Sequence, residues 1–290
     1  YWKEEAISWS FDFLINHLKL DAKRIYVSVF KGDSDAPFDE ESYNIWLKLG
    51  VPKDHIFKYG KKDNWWGPIG QTGPCGPDTE MFYDVKSEPL SGSDPAKDSE
   101  RFVEIWNDVF MEYDKQKDGS FKPLKQKNVD TGMGLERMLM VLQTAPSIYE
   151  TDVFLPAAKL IEDLSGSFSQ KSSRIVADHL RAAVFLISDG VVPSNVERGY
   201  VLRRLIRRAI RHASLLVIKE DFLEKVAKTF IDIYGGFYPN LIEFSDSIVE
   251  NLKAEEQKFK SALTRGLASF QKLKGEISGK VAFDIYQNFG

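Results

Sequence analysis

The sequence predicts an α+β protein in which a mainly stranded region precedes a mainly helical one. Alternating β-branched and aromatic residues predict strands in the first half of the chain, most clearly at 24–30 and 101–113. From about Gly134 onward, apolar residues recur with the 3.6-residue period of amphipathic helices. Because strands come first and helices second, we expect an α+β domain at 1–150 and a helical domain at 151–290.

The composition is that of a globular protein with a substantial core. Of the 290 residues, 43% are hydrophobic and 28% are charged. No apolar run approaches the ~20 residues that cross a bilayer, and the chain does not open on a secretory signal. The single cysteine, Cys75, excludes an internal disulfide and, with four scattered histidines, predicts no zinc site. We therefore expect a cytoplasmic protein without membrane contact.

The elements before residue 115 follow from short periodic segments bounded by glycine, proline or polar residues. These segments predict helices at 1–18 and 39–49 and strands at 24–30, 56–60, 79–85 and 101–113. Residues 61–78 are rich in Gly and Pro and are interpreted as a loop. This loop contains the adjacent residues Trp65 and Trp66, which either line a small pocket or pack the loop against the sheet.

A glycine-rich segment, VDTGMGLER at 129–137, leads into a predicted helix. Its apolar stripe starts the helix at about Gly134 and comprises Leu135, Met138, Leu139 and Leu142. Glycines allow close backbone approach, a helix N-terminus favours anions, and Arg137 lies off the stripe, so the segment can bind a phosphate. The alternative is a structural turn in which Asp130 or Thr131 caps the helix and Arg137 is solvated.

A strongly basic helix is predicted at 197–213. One face is apolar and comprises Leu202, Leu205, Ile206, Ala209, Ile210 and Ala213. The opposite face comprises Arg203, Arg204, Arg207, Arg208 and Arg211, with Arg198 one turn earlier. Although the chain has a net charge of −4, Glu197 is the only acid in this helix. Arginines without acids among them indicate RNA or phosphate binding, with a solvated face as the alternative.

The turn before the basic helix also has two interpretations. Ser194 and Glu197 have the spacing of a capping box, which gives both residues a structural role. Asn195 is not needed for such a cap, so its side-chain amide is available for recognition.

Five segments, taken in order, resemble the alanyl-tRNA synthetases, which are class II aminoacyl-tRNA synthetases. They are NWWGPIGQTGPCGPDTEMFYD, RFVEIWNDVFMEY, VDTGMGLERMLMVLQ, RIVADHLRAAVFLISDGVVPSNVERGYVLRRLIRRAIRH and EEQKFKSALTRGLASF. The resemblance covers essentially the whole chain. It implies that 1–150 is the C-terminal part of a class II aminoacylation domain, with part of its antiparallel sheet, flanking helices and the third class II motif. It also implies that 151–290 is an all-helical domain that recognises the tRNA acceptor stem.

The resemblance implies roles for residues in the first domain. Trp66 is expected to line the pocket for ATP and the alanine side chain. Ile105, Trp106 and Asn107 are expected to lie along the adenylate, with Asn107 also contacting alanine. Asp130 is expected to hold the substrate ammonium. Gly134 and Arg137 belong to the third motif, in which the arginine contacts the ATP phosphates.

In the second domain, the resemblance implies that Asn195 contacts the G·U wobble pair of the tRNA(Ala) acceptor stem. The basic residues expected to follow the stem backbone are Arg198, Arg203, Arg204, Arg207, Arg208 and Arg211.

The implied reaction has two steps, and the implied cofactor is Mg²⁺, bound together with ATP. L-alanine and ATP form alanyl-adenylate, and the alanyl group then passes to the 3′ end of tRNA(Ala). The first two class II motifs are expected ahead of Tyr1, so we expect this chain to be inactive alone, with a missing N-terminal part as a possible partner. The alternative is a non-catalytic module that binds tRNA or nucleotides.

Overall fold

The computed structural model describes residues 1–86, 94–219, 221–273 and 277–289. The chain divides into two compact units, Tyr1–Ile148 and Tyr149–Gly290. Each unit has its own hydrophobic core. Within the described ranges, none of the helices combines the length and the apolarity that crossing a bilayer requires.

Unit 1 consists of a sheet flanked by helices. Its strands are β1 (Ile25–Phe30), β2 (Ile56–Tyr59), β3 (Trp65–Trp66), β4 (Gly73–Asp84), β5 (Phe102–Lys115) and β6 (Phe121–Met133). Its helices are α1 (Lys3–Asp12), continued by a π-helical turn at Phe13–His17, α2 (Glu40–Lys48) and α3 (Leu135–Leu142). The strand order is β2-β1-β4-β5-β6, with β3 on β4. Strands β1 and β2 are parallel and the other pairs are antiparallel, which confirms the predicted α+β class.

A buried ion pair joins α1 to the start of α2 beneath the sheet. Lys3 is 3% exposed, and its Nζ lies 2.7 Å from Asp39 Oδ1 and 3.6 Å from Glu112 Oε1 on β5. Asp39 also accepts hydrogen bonds from the backbone N–H and the hydroxyl of Ser42, and it thereby caps α2. Removing one member of a buried ion pair leaves an uncompensated charge, so this pair holds three elements together.

The loop interpretation of residues 61–78 is wrong in part, because β3 lies within this segment and β4 begins at Gly73. Pro77 is tolerated in β4 because the pairing with β5 is irregular between Cys75 and Asp78. At Gly76 the two backbones approach so closely that a Cβ atom would lie 2.0 Å from the Phe110 carbonyl oxygen. The close pairing of β4 with β5 therefore requires a glycine at position 76.

Strand β6 was not predicted, and it changes the interpretation of the glycine-rich segment. Asp130 and Thr131 lie in this strand, so neither caps α3. The residue at the N-cap position is Gly134, which has no side chain to make the cap hydrogen bond. Most side chains of β6 are exposed, so the strand lacks the alternation of apolar and polar residues by which strands are recognised.

Helix α3 begins where the apolar stripe predicts, but its buried face differs from that stripe. Met138 and Val141 are buried, whereas Leu135 is 46% exposed and Leu142 is 41% exposed. The stripe therefore predicts the start of α3, whereas the buried positions of the helix are Met138 and Val141.

Unit 2 is helical in the described residues. Its helices are α4 (Leu155–Leu164), α5 (Gln170–Ser188), α6 (Glu197–Leu215), α7 (Phe222–Tyr234), α8 (Pro239–Glu243), α9 (Ser245–Gln271) and α10 (Gly279–Phe289). Helix α6 matches the predicted basic helix closely. Its apolar face is buried as predicted at Leu202, Ile206, Ala209, Ile210 and Ala213.

The predicted capping box at the start of α6 is wrong. The N-cap residue is Val196, and no side chain caps the helix. The Ser194 hydroxyl instead donates to the carbonyl oxygen of Val196 (3.0 Å) and accepts from its N–H (3.3 Å). Ser194 lies two residues ahead of the N-cap, so its hydroxyl stabilises the turn and not the helix.

The ion pair of Lys3 gives a first testable prediction. We expect Lys3→Ala to lower the free energy of unfolding of unit 1 by about 3 kcal/mol, because Asp39 keeps only the Ser42 bonds. All six tryptophans lie in unit 1, so tryptophan fluorescence during denaturation reports this unit. The matched control is Lys48→Ala, which removes the exposed Lys48–Glu4 pair between the same two helices and should cost less than ~1 kcal/mol. Equal losses in the two variants would contradict the structural role of the buried pair.

Candidate functional site

A cleft of about 400 Å³ opens on one face of the unit 1 sheet. Three of its lining residues are acidic, Asp63, Glu80 and Glu104, and Arg137 stands at its edge. Arg137 Nη1 lies 2.7 Å from Glu104 Oε2, and the guanidinium side chain is 52% exposed. Gly134 lets this side chain lie against the start of α3, since a Cβ there would be 3.3 Å from Arg137 Cδ. The third-motif residues therefore reach an acidic cleft.

The strand register brings Asn107 and Asp130 to the same face of the sheet as the cleft acids. Glu80 on β4 is directly opposite Asn107 on β5. Two residues further along, Asp78 on β4 and Asp130 on β6 are both opposite Val109 on β5. Directly paired and alternate residues of a sheet share a face, so these polar side chains form one surface, here called the acidic face.

Ile105 and Trp106 do not lie on the acidic face. Ile105 is fully buried in the core of unit 1, at an irregularity in the β4–β5 pairing. The Trp106 indole N–H donates to Asp108 Oδ1 (3.0 Å) and Thr131 Oγ1 (2.7 Å), on the α1 side of the sheet. The predicted contacts of these two residues with the adenylate stay predictions, and the structure groups neither of them with Asn107.

Two carboxyl groups of the acidic face, those of Asp78 and Glu80, have raised pKa values. Asp78 is 3% exposed and accepts a hydrogen bond from the amide of Asn64 (3.1 Å). Burial raises the pKa of Asp78 to about 7. Burial, and then the negative charges of Asp78 and Glu104, raise the pKa of Glu80 to about 8. Groups held this way favour a cationic ligand.

Three acidic residues of this site were not predicted from the sequence, namely Asp78, Glu80 and Glu104. The available signal is the spacing of Asp78 and Glu80, two acids at alternate positions of one strand. Glu104 lies ahead of the Ile-Trp-Asn run, but only the pairing of β4 with β5 brings it to Glu80 and Arg137.

The two adjacent tryptophans have different environments. The Trp65 ring packs against Phe30 at 5.2 Å and Tyr113 at 5.6 Å between centroids, which fixes β3 on the sheet. Trp66 is half-buried and lies opposite Gly76 of β4. The packing role therefore falls to Trp65, and the predicted pocket contact of Trp66 stays a prediction.

Asn195 and Arg203 are joined at the start of the basic helix. Arg203 donates from Nη1 to Asn195 Oδ1, and its guanidinium lies 5.5 Å from the centroid of the Tyr200 ring. Within the described residues, the Asn195 Nδ2 group has no hydrogen-bond partner. The exposed amide therefore presents donors outward.

The predicted arginine face is divided by the structure. Arg207 Nε lies 2.7 Å from Glu255 Oε1, and Glu255 on α9 is 2% exposed. The guanidinium also lies 5.3 Å from the Phe259 ring centroid, so Arg207 helps to attach α9 to α6. No local sequence pattern indicates this pair, because the partners are 48 residues apart. The exposed arginines of this helix, here called the arginine surface, are Arg198, Arg204, Arg208 and Arg211.

Comparison with known proteins identifies the family. The family described as tRNA synthetases class II (A) matches residues 1–290. The chain belongs to this family. An alanine–tRNA ligase of Treponema denticola is 47% identical over the whole chain, which covers 52% of that relative. The corresponding figures are 45% and 51% for the alanine–tRNA ligase of Treponema pallidum, and 44% and 34% for that of Thermotoga maritima.

These relatives confirm the resemblance to the alanyl-tRNA synthetases. The chain spans about half the length of the Treponema relatives and a third of the Thermotoga relative. The acidic face and the arginine surface thus lie in a member of the class II synthetase family.

The raised pKa of Glu80 predicts how stability depends on pH. An acid whose pKa rises from 4.5 to about 8 on folding stabilises the folded state at low pH, and this contribution is lost as the pH rises through 8. Between pH 6 and 9, the unfolding free energy of unit 1 should therefore fall by at least about 1 kcal/mol more in the wild type than in Glu80→Gln. Denaturation followed by tryptophan fluorescence measures the difference. Glu40→Gln, at an exposed acid, should follow the wild type, and identical profiles for all three proteins would refute the prediction.

Proposed function

We propose that the chain is part of an alanine–tRNA ligase, with L-alanine and ATP bound at the acidic face and the tRNA(Ala) acceptor stem bound at the arginine surface. The observation that carries the proposal is the convergence of Asn107, Asp130 and the Arg137–Glu104 pair on one face of the unit 1 sheet. A module that binds only RNA needs none of these residues. The buried thiol of Cys75 fits a reducing compartment such as the cytoplasm.

Asp130 is suited to hold the ammonium group of the amino acid. It is exposed, and its Oδ1 accepts a hydrogen bond from the N–H of Thr131 at 2.9 Å. This bond orients the carboxylate while Oδ2 stays available. An ammonium that leaves water needs an opposite charge and hydrogen-bond acceptors, and Asp130 and Asn107 on the same face supply both.

Arg137 is suited to bind the ATP phosphates. Arg137 forms an ion pair with Glu104, so a nucleotide must compete with this carboxylate for the guanidinium. Arginine offers a planar fork of donors that matches phosphate geometry, and the half-exposed position of the side chain allows this exchange.

The residues at the cleft also fit Mg²⁺ carried by ATP. Among the described residues, no group of three or more His, Cys, Asp or Glu is arranged to hold a metal ion. Mg²⁺ bound with a nucleotide is held by one or two carboxylates and by the phosphates. Glu80 and Glu104 provide two such carboxylates, and the pKa of Glu80 is raised by burial first and then by the negative charges of Asp78 and Glu104. When bound, the ion would neutralise phosphate charge.

In the proposed reaction the alanine carboxylate attacks the α-phosphorus of ATP, which gives alanyl-adenylate and pyrophosphate. A hydroxyl of the terminal tRNA ribose then attacks the alanyl carbonyl and releases AMP. The residues of this chain act by holding the ammonium and the phosphates in place. Positioning and electrostatic stabilisation supply most of the rate enhancement in such transfers.

The acceptor stem is proposed to bind unit 2 through two kinds of contact. The A-form minor groove is wide and shallow, so a side chain on a turn, such as Asn195, can reach a wobble pair. Because Arg203 occupies the oxygen of this amide, Asn195 approaches the groove as a donor. The arginine surface supplies phosphate contacts that give affinity without reading sequence.

The amino-acid site is tested by Asp130→Ala. We expect this variant to bind L-alanine at least about tenfold more weakly, because a hydrogen bond to a charged group contributes about 1.5–3 kcal/mol. Isothermal titration calorimetry with L-alanine measures the change. Asp118→Ala is the matched control, since Asp118 is an exposed acid at the turn of the same β5–β6 hairpin. Unchanged affinity in Asp130→Ala would sink this assignment and favour a module that binds RNA or nucleotide alone.

The RNA site is tested by the double charge reversal Arg204→Glu and Arg208→Glu. Binding of an acceptor-stem RNA hairpin should weaken, and the slope of log K against log salt should become shallower by about 1 for each lost phosphate contact. Titrations at several salt concentrations measure both quantities. The matched control is Lys159→Glu with Lys225→Glu, which changes the charge equally at exposed sites on α4 and α7. If both double variants behave alike, α6 is a solvated helix.

A further inference from the structure

Two histidines lie where the basic helix α6 packs against α5. Near the end of α6, His212 Nδ1 lies 3.0 Å from the hydroxyl of Ser172, which is near the start of α5. The two helices therefore run antiparallel, and their apolar residues share one core. About two turns after Ser172, on the same side of α5, His179 Nδ1 lies 3.0 Å from Asp178 Oδ2. Arg208 of the arginine surface lies about one turn before His212, so this surface borders both histidines.

Each imidazole is held by its Nδ1 atom, which leaves its Nε2 atom for a ligand. Within the described residues neither Nε2 atom has a hydrogen-bond partner, and the buried polar atoms that lack a partner include neither of them, so both reach solvent. The hydrogen bond from His179 lowers the pKa of the Asp178 carboxyl, which is therefore an ionised acceptor. In the neutral form of His179 the proton thus lies on Nδ1 and Nε2 presents a lone pair. This atom donates to an anion once the ring takes up a second proton.

The surroundings of His212 are cationic. Its side chain is half-buried, and burial, followed by the positive charges of Arg208 and Arg211 on its own helix, lowers its pKa. On α5, His179 and Lys171 act in the same direction. Lys171, Arg208 and Arg211 are all exposed, so a polyanion has access to them.

The acids closest to this place are already paired. Asp178 on α5 is bound by His179, and on α9 the buried Glu255 is held by Arg207 at 2.7 Å. Within the part of the chain that the structure describes, no carboxylate forms an ion pair with His212. The counter-charge for its protonated ring must therefore come from a ligand.

We propose that the phosphate-binding surface of unit 2 continues from α6 onto α5, where His212 and His179 contact RNA phosphates in their protonated forms. The inference rests on the proposed binding of RNA at the arginine surface. The phosphate of an RNA backbone offers acceptors and no donor, so it selects the ring that carries a proton on both nitrogens. It also offsets the repulsion between that ring and the neighbouring arginines. RNA binding therefore takes up protons near neutral pH.

The pH dependence of RNA binding tests the proposal. At constant ionic strength, the wild type should bind an acceptor-stem RNA hairpin about tenfold more tightly at about pH 5.5 than at about pH 8, as expected for one hydrogen bond to a charged group. The slope of log K against log salt should also be steeper at the lower pH, by up to about 1 for each protonated histidine. Fluorescence anisotropy titrations at the two pH values measure both quantities.

The informative variant combines His179→Asn with His212→Asn. An asparagine amide can replace Nδ1 as donor or acceptor, has a helix propensity close to that of histidine, and does not titrate. We expect RNA affinity within about twofold of the wild type at about pH 8, and the gain at low pH to be lost. The matched control is His17→Asn, at an exposed histidine of unit 1, which should keep the wild-type pH dependence. If circular dichroism shows that the double variant does not fold, the two single variants provide the same test, each losing part of the gain.

The outcomes separate this inference from the function on which it rests. If the charge reversal of Arg204 and Arg208 leaves RNA binding unchanged, the proposed RNA site and this inference are both overturned. If that reversal weakens binding, but the wild type shows no pH dependence or the histidine variant keeps it in full, only the contact with α5 is overturned. A histidine variant that binds more weakly by the same factor at both pH values has lost structure, and this result also overturns the inference.

Discussion

The register of β4, β5 and β6 is the constraint from which the candidate site follows. Pairing places Glu80 opposite Asn107, and Asp78 and Asp130 opposite the same residue of β5, so acids from distant parts of the chain meet on one face. A shift of one residue in any of these strands would move its polar side chains to the other face. The β4–β5 pairing is irregular at Gly76 and at Ile105. The polar residues of the two strands stay on the same face across both irregularities.

The helical unit uses its charges in a different way. In the sheet, Asp78 is buried and Glu80 is partly buried, and burial raises the pKa of both, whereas on α6 the cations are spread along an exposed face. The acidic face selects among ligands, because a ligand that binds there must neutralise negative charge that is partly buried. Exposure makes the arginine surface permissive, because each guanidinium stays hydrated until a polyanion replaces the water. The two surfaces thus suit a small molecule and a large backbone respectively.

The sequence was sufficient for the features that depend on local periodicity, and insufficient for those that depend on pairing. The α+β class and the extent of α6 followed from apolar spacing. Strand β6 was missed because its side chains are mostly exposed, and the Gly-Pro start of β4 was missed because only contact with β5 makes it a strand. The Arg137–Glu104 and Arg207–Glu255 pairs join residues 33 and 48 positions apart, which no local pattern records.

Strand β6 has a further consequence, for how the sheet meets other strands. Within the described residues it lies at the end of the strand order, with β5 as its neighbour on one side. It carries Lys122, Pro123, Lys125 and Lys127, and charged residues and proline oppose indiscriminate pairing at a sheet edge. These residues cluster in the first half of the strand, whereas the half with Asp130 has no lysine. The lysines and the proline therefore oppose aggregation in the first half of β6. The second half, which carries Asp130 of the acidic face, is the part with which a matched neighbouring strand can pair.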